Sequence, residues 1–459
     1  MTTLRGIKTW LDDNLATVLS EYDVPGAAVA VYADGQIVDA AAGVLNRATG
    51  VQATADSLFQ VGSITKLWTA TLVMQLVDEG RLDLDAPIRT YLPDFELADA
   101  DAAATLTTRQ LLSHTAGFEG DIFTDTGPGD DCVQRYVASL STDAQLFPPG
   151  ERFSYNNAGF CVLGRLIEVL RDQPFDTCLT THLFKPLGLT HAAAGAQDAI
   201  RYRAALGHLR PRPDAEPEPA PVWSMARSNG PAGACLAMRP SDLVTFARMH
   251  LDGGTAADGT RVLSAASVAT MQQTQVHLPE LSMMGDFWGL GWELFDLDGT
   301  RVIGHDGSTL GQAAFLRVIP EQRVAIAVLT NGGDAIGVYR TVLGHLLREL
   351  TGVELRPLPQ PSATGKVDAT RYLGTYSCEV TDYVVRQDDD GRVWLDETPK
   401  GLLLEMGAVA EHRELLAYSE DTLIVGQSSN GLYELCAFVG ATDDGRALYL
   451  HNGRAARRA

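Results

Sequence analysis

One proline-rich stretch, Leu355-Arg356-Pro357-Leu358-Pro359-Gln360-Pro361-Ser362, divides the 459-residue chain into two parts with different patterns. Proline withholds a backbone donor and fixes φ, so this stretch fits neither a helix interior nor a central strand. The pattern changes across it. Residues 1–355 read as one domain, 356–366 as a linker and 367–459 as a second domain.

In the first domain helices and strands are mixed. Gly26–Tyr32 reads as a strand, Gly35 as a turn and Ile37–Ala40 as its hairpin partner. Near the far end, Val324–Thr330 is a second strongly apolar strand. Between them lie helical patterns such as Leu67–Val77, closed by Gly80. Strands at both ends with helices between predict an α+β domain whose sheet joins the two ends. A second proline-rich stretch, Arg210–Pro219, reads as a long surface loop.

After the boundary only short strand patterns remain: Tyr372–Tyr376, Tyr383–Arg386, Val393–Asp396, Leu402–Met406, Glu414–Tyr418, Leu423–Val425, Leu432–Phe438 and Leu448–Leu450. Gly, Asp, Asn and Ser turns separate many of them. Such a series predicts a small antiparallel barrel or sandwich.

Composition removes several functions. Acidic residues outnumber basic ones 58 to 36, a formal charge of −22, which repels phosphate backbones and argues against nucleic-acid binding. No apolar run is long enough to span a bilayer, so no membrane association is expected. The first residues carry no continuous apolar segment of a secretory signal, and the reading is cytoplasmic. The six cysteines (Cys132, Cys161, Cys178, Cys235, Cys378, Cys436) are scattered and read as free thiols. No HxH or HExxH pair supports a metal site, and no phosphate-binding glycine loop supports a nucleotide; no cofactor is expected.

Lysine is scarce: Lys8, Lys66, Lys185, Lys366 and Lys400 are the whole set. That scarcity gives weight to Ser63-Ile64-Thr65-Lys66, the single S-x-x-K, at the head of a predicted helix. A spacing of three places both side chains on one helical face. A serine hydroxyl becomes a useful nucleophile when a neighbour removes its proton. A lysine can do so if burial disfavours its ammonium form. The first helical turn also offers unpaired N–H groups to a developing oxyanion.

Two further segments carry chemistry. Tyr155-Asn156-Asn157 follows the turn Pro148-Pro149-Gly150 and supplies a phenol and an amide. Gly304-His305-Asp306-Gly307-Ser308-Thr309-Leu310-Gly311 reads as a glycine-rich turn before a strand at Ala313–Ile319. His114, in Ser-His-Thr-Ala-Gly, reads as a turn-fixing residue.

Taken in chain order, Ser63–Lys66, Tyr155–Asn157 and His305–Gly307 resemble the three boxes of the serine β-lactamase and penicillin-binding-protein superfamily, closest to its class C branch. Leu111–Phe118 and Trp288-Gly289-Leu290-Gly291-Trp292 are supporting matches. The resemblance implies an antiparallel sheet flanked by helices, with a helical subdomain. It implies that Ser63 is acylated, that Lys66 and Tyr155 share the acid–base work, and that Asn157 holds a substrate amide. It also implies an oxyanion hole made by the backbone N–H groups of Ser63 and Ser308. His305, read as a catalytic residue that positions the substrate or helps pass a proton, stands where many members carry a lysine, which removes a fixed cation from the third box. Gly307 and Trp288 are the remaining residues assigned to substrate binding.

Within the superfamily, the attached β domain makes the chain resemble penicillin-binding-protein-type thioesterases, the stand-alone cyclases of nonribosomal peptide pathways, whose second domain is lipocalin-like. That resemblance implies a linear peptidyl thioester as substrate, a peptidyl carrier protein as partner, and head-to-tail macrolactam formation with a D-residue as acyl donor. A cytoplasmic D-stereospecific peptidase or esterase using the same site stays open, as does a non-catalytic binding protein. The basic tail Leu450–Arg458 reads either as a solvated end or as a source of Arg454 to the cleft, with Arg446 and Arg457 as rivals.

Overall fold

The computed structural model describes residues 3–210, 215–361, 367–405, 408–429 and 431–459. Its centre is a nine-stranded antiparallel sheet. The strands run in the order Val51–Gln52, Gln36–Asn46, Gly26–Ala33, Val324–Thr330, Ala313–Ile319, Thr300–Ser308, Glu293–Leu297, Phe287–Trp288 and Val276–His277. The strand at Gly26 pairs directly with the one at Val324, with Val29 opposite Val328. The sheet therefore joins the two ends of the domain, as the apolar patterns predict.

Strand side chains alternate between faces, and here both faces are covered. Ala27, Val29 and Val31 pack with the helix Leu4–Glu21 and the helix Gly344–Thr351. Ala28, Ala30 and Tyr32 pack against the larger helical side, which includes Leu67 and Trp68. The helix Thr65–Asp78 is buried almost all round, as a helix at the centre of a core must be. It begins two residues after Ser63, which lies in a 3₁₀ turn, Gly62–Ile64. The helix Asn157–Arg171 starts directly after Asn156, which caps it by accepting from the Gly159 amide.

Two expectations need correction, and a third falls partly outside the described residues. The third box is no turn: Gly304–Ser308 is strand, paired residue by residue with Ala313–Arg317, and the turn falls at Thr309–Gln312. The stretch Arg210–Pro219 includes residues 211–214, which lie outside the described residues; its last two residues, Glu218–Pro219, pair with His208–Leu209 just before it. In the second domain Leu402–Met406 is not a strand: Gly401–Glu405 is a helical turn, and Met406 is outside the described residues.

The second domain is a closed eight-stranded antiparallel barrel. The eighth strand, Ala455–Arg458, comes from the tail that the sequence left open. It pairs with Tyr449–His451 on one side and with the first barrel strand, Gly374–Ser377, on the other. A small barrel is filled by its own side chains, here Tyr376, Leu395, Leu415, Leu423, Cys436 and Phe438. All six cysteines are buried and free. Among the described residues no helix is long and apolar enough to cross a membrane, and no group of side chains is placed to hold a metal ion.

Candidate active site

The site forms where the turn carrying Ser63 meets the strand carrying the third box. Glycine makes that meeting close. Gly62 has φ +52°, and a Cβ there would fall 2.5 Å from the Ser308 nitrogen. A Cβ on Gly307 would fall 2.0 Å from the Val61 carbonyl oxygen and 2.9 Å from the Ser63 nitrogen. Both approaches exclude a side chain, and they bring the amides of Ser63 and Ser308 onto adjoining segments. Ser63 is half-buried and Ser308 exposed, so the hydroxyl faces an open cleft. A cavity of about 440 Å³ contains Ser63, Tyr155, Glu293, His305, Ser308 and Arg454 on its walls.

Lys66 is fully buried. Its Nζ lies 3.1 Å from Ser63 Oγ, 2.7 Å from Asn157 Oδ1 and 2.6 Å from the Ala232 carbonyl oxygen. Burial, followed by the charge of Arg454, lowers its pKa from 10.5 to about 7. A neutral amine has two N–H donors and one lone pair. Asn157 and Ala232 take the two donors, which leaves the lone pair for the Ser63 hydroxyl.

Tyr155 lines the same cavity as Ser63, and burial holds its phenol protonated, well above the ordinary tyrosine range, with Ser63 acting weakly the other way. Its ring is stacked on His114 at 4.3 Å and met edge-on by Trp288 at 5.7 Å. His114 has left-handed backbone (φ +56°) and accepts from the Asn156 amide at Nδ1. It thus shapes the turn and backs the phenol. Lys66 Nζ lies 4.8 Å and the Arg454 guanidinium 4.7 Å from the Tyr155 ring centre.

One assignment changes, and a second residue gains a further role. Trp288 has no exposed surface and packs behind Tyr155, Phe153 and His305. It supports the site and does not touch the cleft, because its side chain lies in the core. Asn157 has partners on both sides: Oδ1 accepts from Lys66, and Nδ2 donates to Asp121 at 2.7 Å. It orients the lysine and keeps a second N–H beyond these two bonds.

His305 is buried, and its Nδ1 lies 2.6 Å from the Asp306 carbonyl oxygen. Burial and the nearby Lys66 lower its pKa to about 3, so the ring is neutral at ordinary pH. The third box therefore presents no cation.

Sequence reading missed two carboxylates. Asp121 joins Asn157 to Arg454, accepting from the guanidinium at 2.8 and 3.2 Å; it sits in a loop with no motif. Glu293 follows Trp292 and lines the cavity. Burial first, then Asp306, raises its pKa to about 8, and its Oε2 lacks a partner. The tryptophan-glycine run next to it was the available signal.

The barrel completes the site. Gly453 accepts from the Tyr155 amide at 3.0 Å, the Ala455 amide donates to Ser154 Oγ at 3.1 Å, and His451 Nε2 lies 2.9 Å from the Phe153 carbonyl oxygen. His451 Nδ1 accepts from the Gly453 amide, so Nε2 carries the hydrogen and donates. Arg454 follows directly and reaches the cleft. Its two rivals do not: Arg446 pairs with Asp444, and Arg457 lies in the closing strand.

Acylation of Ser63 is expected to increase as pH rises through about 7, because the base is the uncharged form of Lys66. Arg454→Ala removes a positive charge and leaves the Asp121 carboxylate without its cation, and both changes favour the ammonium. The acid limb of kcat/KM is therefore expected to move to higher pH. A limb that stays in place in a pH–rate series would contradict this coupling.

An antiparallel sheet flanked by helices, with serine, lysine and tyrosine meeting at one edge, defines the class of active-site-serine hydrolases and acyltransferases. Within it, the chain belongs to the Beta-lactamase family, whose model matches residues 11–349. It is 48% identical over 363 residues to penicillin-binding protein 4 of Amycolatopsis lactamdurans, which covers 78% of this chain and 95% of that protein. The crystal structure of SurE superposes with a TM-score of 0.78 at 30% identity, covering 100% of both chains. The octameric penicillin-binding-protein homologue from Pyrococcus abyssi shares the fold (TM-score 0.64, 21% identity, 95% of this chain and 96% of that one).

Proposed function

We propose that the protein is a penicillin-binding-protein-type thioesterase that cyclises a linear peptide head to tail. Lys66 accepts the Ser63 proton as Oγ attacks the thioester carbonyl. The oxyanion is held by the Ser63 and Ser308 amides. The thiol leaves with a proton from Lys66 or Tyr155, and Ser63 holds the peptide as an ester. The peptide's own amine then attacks that ester. It loses one proton to this acid–base pair, and Ser63 recovers one as the macrolactam departs.

The observation carrying this reading is the likeness to SurE along the whole of both chains, barrel included. SurE has also been crystallised with D-Leu, which supports a D-residue as acyl donor. The site is consistent with both points. A neutral His305 suits an acyl donor whose terminal carboxyl is already consumed in the thioester. The barrel walls one side of the cleft with Arg454 and limits water; intramolecular positioning can supply effective molarities of roughly 10⁵ M. A peptidyl carrier protein is the proposed donor of the thioester, and the Arg454 guanidinium is the proposed contact for a peptide carbonyl.

The deciding test is mass spectrometry after incubation with a synthetic linear peptidyl thioester ending in a D-residue. The expected product is one water lighter than the linear acid. It is absent with Ser63→Ala and reduced about tenfold with Arg454→Ala, a loss of roughly 1.4 kcal/mol. Linear acid as the sole product would make the protein a D-stereospecific hydrolase instead. No acyl-enzyme on Ser63 under any condition would remove the serine mechanism.

A further inference from the structure

The cleft continues beyond Arg454. Met283 and Met284 wall the cavity that holds Ser63, and they also border a second cavity of about 710 Å³. Their loop is fastened to the barrel. Ser282 Oγ donates to the Tyr433 carbonyl oxygen at 2.8 Å and accepts from the Leu435 amide at 3.0 Å, while Ser419 Oγ donates to Glu280. The two methionines thus form a flexible apolar partition between two spaces, both roofed by the same loop.

The far side of the second cavity is the mouth of the barrel. Between Ile424 and Ser428 the register of the strands Thr422–Ser429 and Leu432–Val439 shifts, leaving Val425, Gly426 and Gln427 against Glu434 alone. Such bulges open a sheet locally. Below the mouth the barrel is filled by Leu395, Leu415 and Leu423, so a ligand rests on the rim and goes no deeper.

The rim is charged in one sense. Glu397 and Glu411 stand directly opposite each other in the ladder, a placement that like charges disfavour. A third carboxylate, Glu434, joins them. One guanidinium, Arg413, serves all three: it contacts Glu397, lies 2.8 Å from Glu434 and 3.1 Å from Glu411. Of these groups Glu411, Glu434 and Arg413 line the cavity, and Arg413 is shared with Glu397 behind them, so negative charge is in excess on the cavity wall. Asn452 donates to Glu434 at 2.9 Å and precedes Arg454 by two residues, so rim and cleft share one turn of chain.

We propose that this cavity is a second substrate subsite, which takes the part of the peptide upstream of the acyl donor and selects a cationic side chain there. The proposal rests on the reading of the Ser63 cleft as a site for peptidyl substrates, and it adds which residues read the rest of the peptide. An extended chain leaving Ser63 passes the methionine partition and meets the glutamate rim.

The test uses Ser63→Ala protein, in which no acyl transfer occurs. Two fluorescein-labelled linear peptide amides, each about eight residues long and reaching ~26 Å when extended, end in D-leucine. They carry either lysine or glutamate about four residues upstream. The lysine peptide is expected to bind about tenfold more tightly at low salt. Glu411→Gln with Glu434→Gln is expected to bring the ratio of the two affinities towards one. A diazirine placed beside the lysine is expected to crosslink to Gln427–Ser429 or Leu432–Leu435 of the Ser63→Ala protein. Equal affinities for the two peptides, a ratio that survives both substitutions, or crosslinks confined to other segments would overturn the proposal. Since no turnover is needed, these outcomes are independent of whether the wild-type protein closes rings or releases acid.

Discussion

Lys66→Met is expected to slow acylation of Ser63 by about 10³-fold, the size of a lost general base. Methionine keeps the unbranched stem of lysine and suits the buried position, but it has no lone pair basic enough to take the serine proton. The substitution leaves Asn157 Oδ1 and the Ala232 carbonyl oxygen without the amine they now accept from. Unsatisfied buried acceptors cost about 1–3 kcal/mol each, partly offset because the amine no longer has to be buried. A lower thermal midpoint with the fold retained is therefore expected. Intact-protein mass spectrometry of the acyl-enzyme over time reads the rate directly. Acylation within tenfold of wild type would mean that the proton leaves by another route, and Tyr155 would then have to carry it.

Gly307→Ala is the second large effect. A methyl group there meets two backbone atoms, the Val61 carbonyl oxygen at 2.0 Å and the Ser63 nitrogen at 2.9 Å. Neither is the movable end of a side chain, so the strand Thr300–Ser308 must draw back from the serine turn. That separates the Ser308 amide from the Ser63 amide, and both donors lose their common target. Loss of an oxyanion donor lowers rates by about 10²–10³-fold. Gly195→Ala is the control: its φ is −167° and no atom lies within 4 Å of an added Cβ, so acylation is expected to be unchanged. If Gly307→Ala acylates Ser63 as fast as Gly195→Ala, the two amides are not the oxyanion hole.

Much of the site was readable because its chemistry lies in short, local spacings. Ser63 and Lys66 are one helical turn apart, and that separation survives folding almost unchanged. The apolar strands Gly26–Ala33 and Val324–Thr330 were readable for a related reason: strands buried on both faces are apolar throughout. What stayed hidden depends on long-range contact. Trp288 looked available to a ligand because a sequence does not say which side of a strand faces a core. Asn157 looked free because its partners, Lys66 and Asp121, are remote in sequence. The third box looked like a turn because three of its eight residues are glycine, whereas those at 304 and 307 are there for close packing between backbones. The closing strand Ala455–Arg458 has weak strand propensity of its own. It forms because both neighbouring edges, Gly374–Ser377 and Tyr449–His451, are already waiting for a partner.

The last hairpin of the barrel has a further consequence, for the order in which the protein becomes reactive. During synthesis the serine, the lysine and the phenol emerge from the ribosome early. The segment that grips Phe153–Tyr155 and delivers Arg454 emerges roughly three hundred residues later, and the barrel closes only when Ala455–Arg458 is added. A nascent chain can therefore carry its nucleophile while the phenol still lacks the backbone contacts of Gly453 and Ala455.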